Sequence, residues 1–269
     1  CISCHVTATP DECESAEPIE SVFLAVGVSC ESCHGASGTW RDQHYATDFD
    51  GSSRFASGLR DNESTMARTE GCVRCHVGSR SADGLVRDMN HDLIAAGHPA
   101  LRFDMDSYFR SLPRHWDVTD ELDSGDAPIR ARRVGRNMTL AAVARLAGER
   151  AQAFLDGLNA PIPEFADYDC FACHQSLSMD QYMLPPETGG SSMRVSDGLP
   201  IWNTWYTANL LSLPKAKLQM LAPNQVKAAQ LASAALALAS RFQAEAETDA
   251  KLDFDASSHS QEGENPKAW

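Results

Sequence analysis

Apolar residues recur with helical spacing in two stretches of the chain and show no sustained period elsewhere. Leu140, Val143, Ala144, Ala147, Ala151, Phe154, Leu155 and Leu158 follow an i, i+3, i+4 pattern, the mark of a helix with one buried stripe. Asn137 or Thr139 is the expected N-cap, and Pro161 closes the run because proline cannot continue a helix. A second stripe of Val226, Leu231, Ala235, Leu238 and Phe242 starts after Pro223 and runs into Ala244, Glu245, Ala246 and Glu247. A shorter helix over 202–213 is a candidate to pair with it. Both stripes read as helix-packing core rather than cofactor lining. Segment 1–116 is different, because glycines, serines and acidic turns such as 48–53 interrupt every period. No alternating strand pattern appears. The expected fold is mainly α with long loops and little or no β-sheet, and the tail 251–269, which lacks periodicity, is expected to be mobile or partner-binding.

The cysteines change this picture. Eight of the nine fall in one repeated pentad: Cys1-Ile2-Ser3-Cys4-His5, Cys30-Glu31-Ser32-Cys33-His34, Cys72-Val73-Arg74-Cys75-His76 and Cys170-Phe171-Ala172-Cys173-His174. Chance would give on the order of 0.01 such pentads at this composition and length. C-x-x-C-H is the attachment signature of c-type haem. Two thiols one helical turn apart add to the two vinyl groups of one porphyrin, and the adjacent imidazole reaches the iron. Each pentad is therefore expected to hold one haem c, four in all. A thioredoxin-like redox pair gives no reason for a histidine after every cysteine pair. Structural zinc is the stronger rival, but four ligands suffice for zinc and here every knuckle carries the same extra histidine. A disulfide framework is the remaining alternative.

The motif spacing suggests an organisation. Three pentads lie in a haem-dense region 1–116, a helix and the fourth pentad in 117–185, further helices in 186–250 and the tail in 251–269. Haem c is attached outside the cytoplasm, so the expected location is periplasmic, extracellular or at the cell surface. A chain that opens on a haem cysteine suggests that further residues precede Cys1, with a signal and perhaps more ligands among them. The apolar stretch 228–240 is too short to span a bilayer. Cys13, flanked by Glu12 and Glu14, is either a free thiol or pairs outside this chain, and its acidic neighbours argue against a reactive nucleophile.

The function depends on the sixth position of each iron. His5, His34, His76 and His174 are the proximal ligands; His44, His91, His98, His115 and His259 remain. Four of these would close every iron with imidazole, giving low-spin centres suited to electron transfer. The expected distal set is His44, His91, His98 and His115. His259 in the polar tail lacks an obvious iron, and if it ligates it does so across a subunit boundary. Seven residues separate His91 from His98, about two helical turns or roughly 10.5 Å of rise, so one helical face could serve two haems. Gly97 and Pro99 instead favour a helix that ends before His98. Met66, Met89 and Met105 read as packing residues rather than thioether ligands.

Charge narrows the partners. With 23 basic and 37 acidic side chains the formal net charge is −14, which disfavours nucleic acid and steers the chain toward basic surfaces. Hydrophobic residues make up 43% but aromatics only 7%, leaving room for a non-protein group in the interior. Arg102, Arg110, Arg114, Arg130, Arg132, Arg133 and Arg136 cluster between the third and fourth pentads, either as partners for haem propionates or as a solvated basic face.

Residues 27–35 around the second pentad, followed by Trp40 and His44, resemble the multihaem cytochrome c-554 family. The block 90–99, Asn90-His91-Asp92-Leu93-Ile94-Ala95-Ala96-Gly97-His98-Pro99, and the block 168–174 resemble the later blocks of a subgroup of related multihaem proteins. The likeness covers about residues 1–175. It implies a mostly helical fold around closely stacked porphyrins, extracytoplasmic electron transfer and mainly bis-histidine ligation. It also implies His5, His34, His76 and His174 as proximal ligands, with His44, His91 and His98 distal. The family includes a five-coordinate haem and usually an N-terminal segment before the motif matching Cys1.

Three functions follow as expectations. The first is a relay passing electrons between redox partners, with no acid, base or nucleophile required. The second is a subunit of a polymeric cytochrome filament, in which identical subunits are the partners. The third is a redox enzyme acting on a small nitrogen or sulfur compound at one open haem.

Overall fold

The computed structural model describes residues 2–7, 21–49, 51–80, 85–113, 127–158, 160, 162, 164–168, 170 and 225–260. In chain order these form α1 (Ile2–His5), α2 (Ser21–Val26), α3 (Cys30–His34), α4 (Gly51–Ala56), α5 (Thr65–His76), α6 (His91–Ala95), α7 (Met105–Ser111), α8 (Ala127–Leu155), a 3-10 turn (Phe165–Asp167) and α9 (Gln225–Ser260). No strand occurs among the described residues; Ser79 and Arg87 make one isolated antiparallel bridge. The mainly helical, loop-rich expectation holds for these residues, and no helix among them is long and apolar enough to cross a membrane.

Contacts divide the chain into two units that interleave along the sequence. Unit 1 comprises Cys1–Asp88, Phe103–Leu146 and Ala237–Trp269; unit 2 comprises Met89–Arg102 and Ala147–Leu236. In unit 1 the early part of α8 packs on the late part of α9, around Val134, Met138 and Ala246, with Met66 and Ala250 against them. Asp249, buried on α9, accepts from Arg133 at 2.7 Å and from Asn137 Nδ2 at 3.3 Å. Arg145 donates to Glu70 of α5 at 3.1 Å and to Gln243 of α9 at 3.4 Å. In unit 2, a Cβ placed on Gly148 would lie 3.0 Å from Leu236 Cγ and 3.4 Å from the Ala232 carbonyl oxygen. A side chain there would be tight, and the Leu236 side chain would have to shift by a few tenths of an ångström to admit it.

α8 starts well before the expected cap. Pro128 fits the first turn, where no intrahelical donor is needed. Asn137 and Thr139 lie inside the helix instead: Thr139 Oγ1 bonds back to the Gly135 carbonyl at 2.7 Å, and Asn137 reaches Asp249. The helix also ends before Pro161. Gly157 takes a positive φ of 73°, its N–H returns to the Phe154 carbonyl at 3.1 Å and that of Leu158 to Ala153 at 2.9 Å, a Schellman ending. Leu158 therefore leaves the buried stripe and is exposed.

On α9 the buried positions are Ala228, Ala232, Ala235, Ala239, Phe242, Ala246 and Asp249, alternating four- and three-residue steps. Leu231 and Leu238, expected in the stripe, are only half-buried beside this alanine seam. The helix runs to Ser260, so the loss of apolar period at Lys251 does not end it. The candidate helix over 202–213 lies outside the described residues.

Candidate functional site

The described residues of the first three pentads sit in helical backbone. α1 ends on His5, α3 is the second pentad itself and α5 ends on His76. Helical backbone puts the paired cysteines one turn apart on one face, with the histidine next to the second. α5 is started by Ser64, whose hydroxyl accepts from Ala67 N at 3.1 Å. Cys170 has helical backbone and is exposed. Cys1, Cys13, Cys173 and His174 lie outside the described residues, as does His115.

Hydrogen bonds draw these three pentads together within unit 1. Thr7, just past α1, accepts from Ser29 N at 2.7 Å, lies 2.5 Å from the Ser32 hydroxyl and donates its backbone N–H to Gly27 at 3.0 Å. Asn62, on the approach to α5, donates to the Cys33 carbonyl at 2.8 Å and its Nδ2 lies 3.4 Å from His34 Nδ1. Ser3 donates to the Val86 carbonyl at 3.0 Å and its own carbonyl accepts from Arg87 Nε at 2.7 Å. Arg87 pairs with Ser79 just after α5.

The thiols report the same convergence. Cys4 is hydrogen-bonded to Cys75, which with Arg87 and Ser3 lowers the Cys4 thiol to about 6. Burial, reinforced by nearby Cys33, pushes Cys72 up to about 11. Cysteines from different pentads are thus neighbours, and the described cysteines carry no disulfide. Among the described residues no three His, Cys, Asp or Glu side chains form a group that could hold a metal ion by themselves.

The histidines are held in different ways. His76 is half-buried, parallel to Phe103 (ring centroids 5.4 Å apart, 19°) and edge-on to Tyr108 at 4.5 Å. Burial lowers its pKa, favouring the neutral imidazole that can bind iron. His44 Nδ1 bonds to the Arg41 carbonyl, and His98 Nδ1 to the Pro99 carbonyl at 2.8 Å. A carbonyl only accepts, so Nδ1 carries the proton and the lone pair is on Nε2. That orientation by a backbone acceptor is usual for metal-ligating histidines. Buried Trp40 touches both His34 and His44, with centroids 6.5 and 6.0 Å away. His5 is exposed at the end of α1, and His259 lies within α9.

His91 opens α6 and His98 lies beyond its end. Gly97, at φ 106°, closes the helix through Gly97 N to Ile94 O (3.0 Å) and His98 N to Leu93 O (3.1 Å). The two histidines therefore do not share a helical face. The 3-10 turn packs on α6, as Glu164 Oε1 accepts from His91 N at 2.8 Å and Phe165 meets the His91 ring edge-on at 5.9 Å. Glu164, Phe165, Asn62, Phe103 and Tyr108 belong to no motif and no apolar period, so sequence patterns did not single them out.

The arginine cluster divides. Arg110 pairs with Asp106 at 2.9 Å and Arg133 with Asp249, so these two neutralise carboxylates of the chain itself. Arg136 Nη2 is buried without a hydrogen-bond partner among the described residues, as are Arg74 Nε within the third pentad and Trp40 Nε1. Met66 and Met105 pack in the core. The pentads in helices, orphaned donors beside them and apolar Leu24, Val26, Val28 and Phe55 exposed around the first two pentads fit a covalently bound haem with propionates. The macrocycle supplies apolar faces, and its carboxylates are acceptors for buried guanidinium groups.

A family model described as "Cytochrome c554 and c-prime" matches residues 1–35. No curated protein and no solved structure matches the chain. The matched stretch contains the first two pentads, and it points to haem c as cofactor and to electron transfer.

Proposed function

We propose that the chain is an extracytoplasmic tetrahaem c-type cytochrome that relays single electrons between redox partners through closely spaced, mostly bis-histidine haems. Each bound haem supplies an iron that cycles between two oxidation states without bond making. The observation that carries the reading is the joining of α1, α3 and α5 through Thr7, Asn62 and the Cys4–Cys75 contact. Pentads held this near one another keep their irons within short transfer distances.

The chain's residues then set how each iron behaves. Cys4, Cys33, Cys75 and their paired cysteines fix the group in place. His5, His34, His76 and His174 serve as proximal ligands, and His44, His91, His98 and His115 as distal ones. Phe103 and Tyr108 fix the plane of His76, and the backbone acceptors at Arg41 and Pro99 fix His44 and His98. Arg74 and Arg136 hold propionate charge. The acidic surface, −14 before any propionate is counted, directs the chain toward basic patches on redox partners.

Optical and EPR spectra of the oxidised protein, and of the reduced protein with and without carbon monoxide, test this. All-low-spin haem that does not take up the gas is the expected result. One high-spin, gas-binding haem in four would move the enzymatic reading ahead of the relay.

A further inference from the structure

We propose that Arg60 and Arg87 are the cations that set the potentials of the haems at the second and first pentads; this rests on the cytochrome reading above and assigns two charges within it. The warrant is one contact made twice inside unit 1. In each of these pentads the carbonyl of the second residue accepts the N–H of the residue just after the histidine. Val6 N reaches Ile2 O at 3.0 Å, and Gly35 N reaches Glu31 O at 2.9 Å. The next carbonyl lies beyond the donors of its own helix, and in both pentads a guanidinium takes it. Arg87 Nε donates to Ser3 O at 2.7 Å, and Arg60 Nη1 to Ser32 O at 3.1 Å. Ser3 and Ser32 hold the same place, directly before the second cysteine. Each charge is thus hydrogen-bonded to the peptide that carries Cys4 or Cys33, one of the sulfurs that takes a haem vinyl group.

Both arginines are held by their backbones. Arg60 N donates to His34 O at 2.9 Å, and Asn62 Nδ2 takes the intervening Cys33 O at 2.8 Å. The segment comes this close because Gly35 has no side chain: at its φ of 82°, a Cβ would lie 2.8 Å from Gly58 O and 3.3 Å from Arg60 Cγ. Arg87 exchanges both backbone hydrogen bonds with Ser79, at 2.7 and 2.8 Å, beside the Arg80–Asp88 ion pair at 2.6 Å. A cap alone does not need a cation. At the third pentad the corresponding carbonyl, Arg74 O, takes the neutral Ser79 hydroxyl at 3.5 Å. A fixed positive charge beside a haem disfavours the ferric state, which carries one more unit of positive charge, and so raises the potential. Neither arginine is a ligand; each acts through its charge.

Redox titration of the holoprotein, followed optically, tests this. R60Q and R87Q keep a hydrogen-bond donor and remove the charge. Each is expected to move one titrating component to lower potential, with haem content unchanged and the oxidised spectrum still low-spin. R60K and R87K, which keep the charge, should titrate near the wild type. Gln variants that titrate as the wild type does, or Lys variants displaced as far as the Gln ones, overturn the proposal. So does a Gln variant in which a haem turns high-spin, because the arginine would then hold a ligand rather than set a potential. If a Gln variant does not accumulate, the Lys variant is acetylated as the folded holoprotein, which removes the charge after folding. The chain's own lysines, Lys215, Lys217, Lys227, Lys251 and Lys267, are all remote in sequence from both positions, so acetylated wild type is the control. The same downward displacement relative to that control is expected, and its absence overturns the proposal. Failure of the underlying reading is distinct from all of these, because the wild-type chain would then carry no covalent haem.

Discussion

Two regions of unit 1 solve the burial problem in opposite ways. Where α8 meets α9, small side chains make a continuous seam: Ala246 is fully buried, Val134 and Met138 are nearly so, and Asp249 is satisfied by Arg133 and Asn137. From Ile2 to His76 the helices are short, and Leu24, Val26, Val28 and Tyr45 are 54%, 60%, 58% and 76% exposed. That region is knit by side-chain-to-backbone hydrogen bonds such as those of Thr7, Asn62 and Ser3. Hydrogen bonds add little net stability without apolar burial. The helix pair carries its own core, whereas the pentad region leaves apolar side chains exposed that the proposed haem groups would cover.

The largest effect should come from withholding those groups. A chain produced without covalent haem attachment should lose amide protection over residues 2–76, while α8 and α9 keep theirs. Hydrogen exchange read by mass spectrometry checks this, and equal protection in both regions would dissolve the comparison. A smaller effect is expected inside the seam. A246L inserts a bulky side chain against Val134 and Met138 and should cost about 1–3 kcal/mol, seen as a lower Tm with an unchanged haem spectrum.

On the other side of the comparison, T7V keeps the shape of the side chain but removes the acceptor for Ser29 N. It should cost about 1 kcal/mol and loosen α1 from α3, measurable as faster exchange at Ser29 with the α8–α9 amides unaffected. The smallest effect concerns pH. Glu31 is held below the usual carboxylate range first by the Ser37 hydroxyl and then by the Ser37 N–H, which donates to it at 2.6 Å. A carboxylate with a lowered folded-state pKa contributes stability above its unfolded value, and that contribution is lost as pH falls through the folded one. Acid titration of stability should thus be slightly shallower in E31Q; identical acid limbs would contradict the assignment.

The two regions also differ in how far the sequence exposes them. The pentads are legible because attachment chemistry demands fixed residues at fixed spacing, and helix α8 is legible from Leu140 to Leu155 because its stripe is periodic. Its first turns are not, since Arg130, Arg132, Arg133 and Arg136 surround the buried Val134 and precede the buried Met138. On α9 the conspicuous leucines mislead: the seam is largely alanine, and Leu231 and Leu238 are only half-buried beside it. The carbonyls at Arg41 and Pro99 that set the His44 and His98 tautomers are neighbours in sequence, whereas the carboxylate of Glu164 reaches His91 from 73 residues away. No local pattern announces them.

The central claim is that four pentads each hold a haem in one chain. Intact mass of the purified holoprotein, together with its iron and zinc content, measures this directly. The account predicts a chain carrying four covalent haems, four irons and no zinc; zinc in place of iron, or a chain mass without added haem, would contradict it.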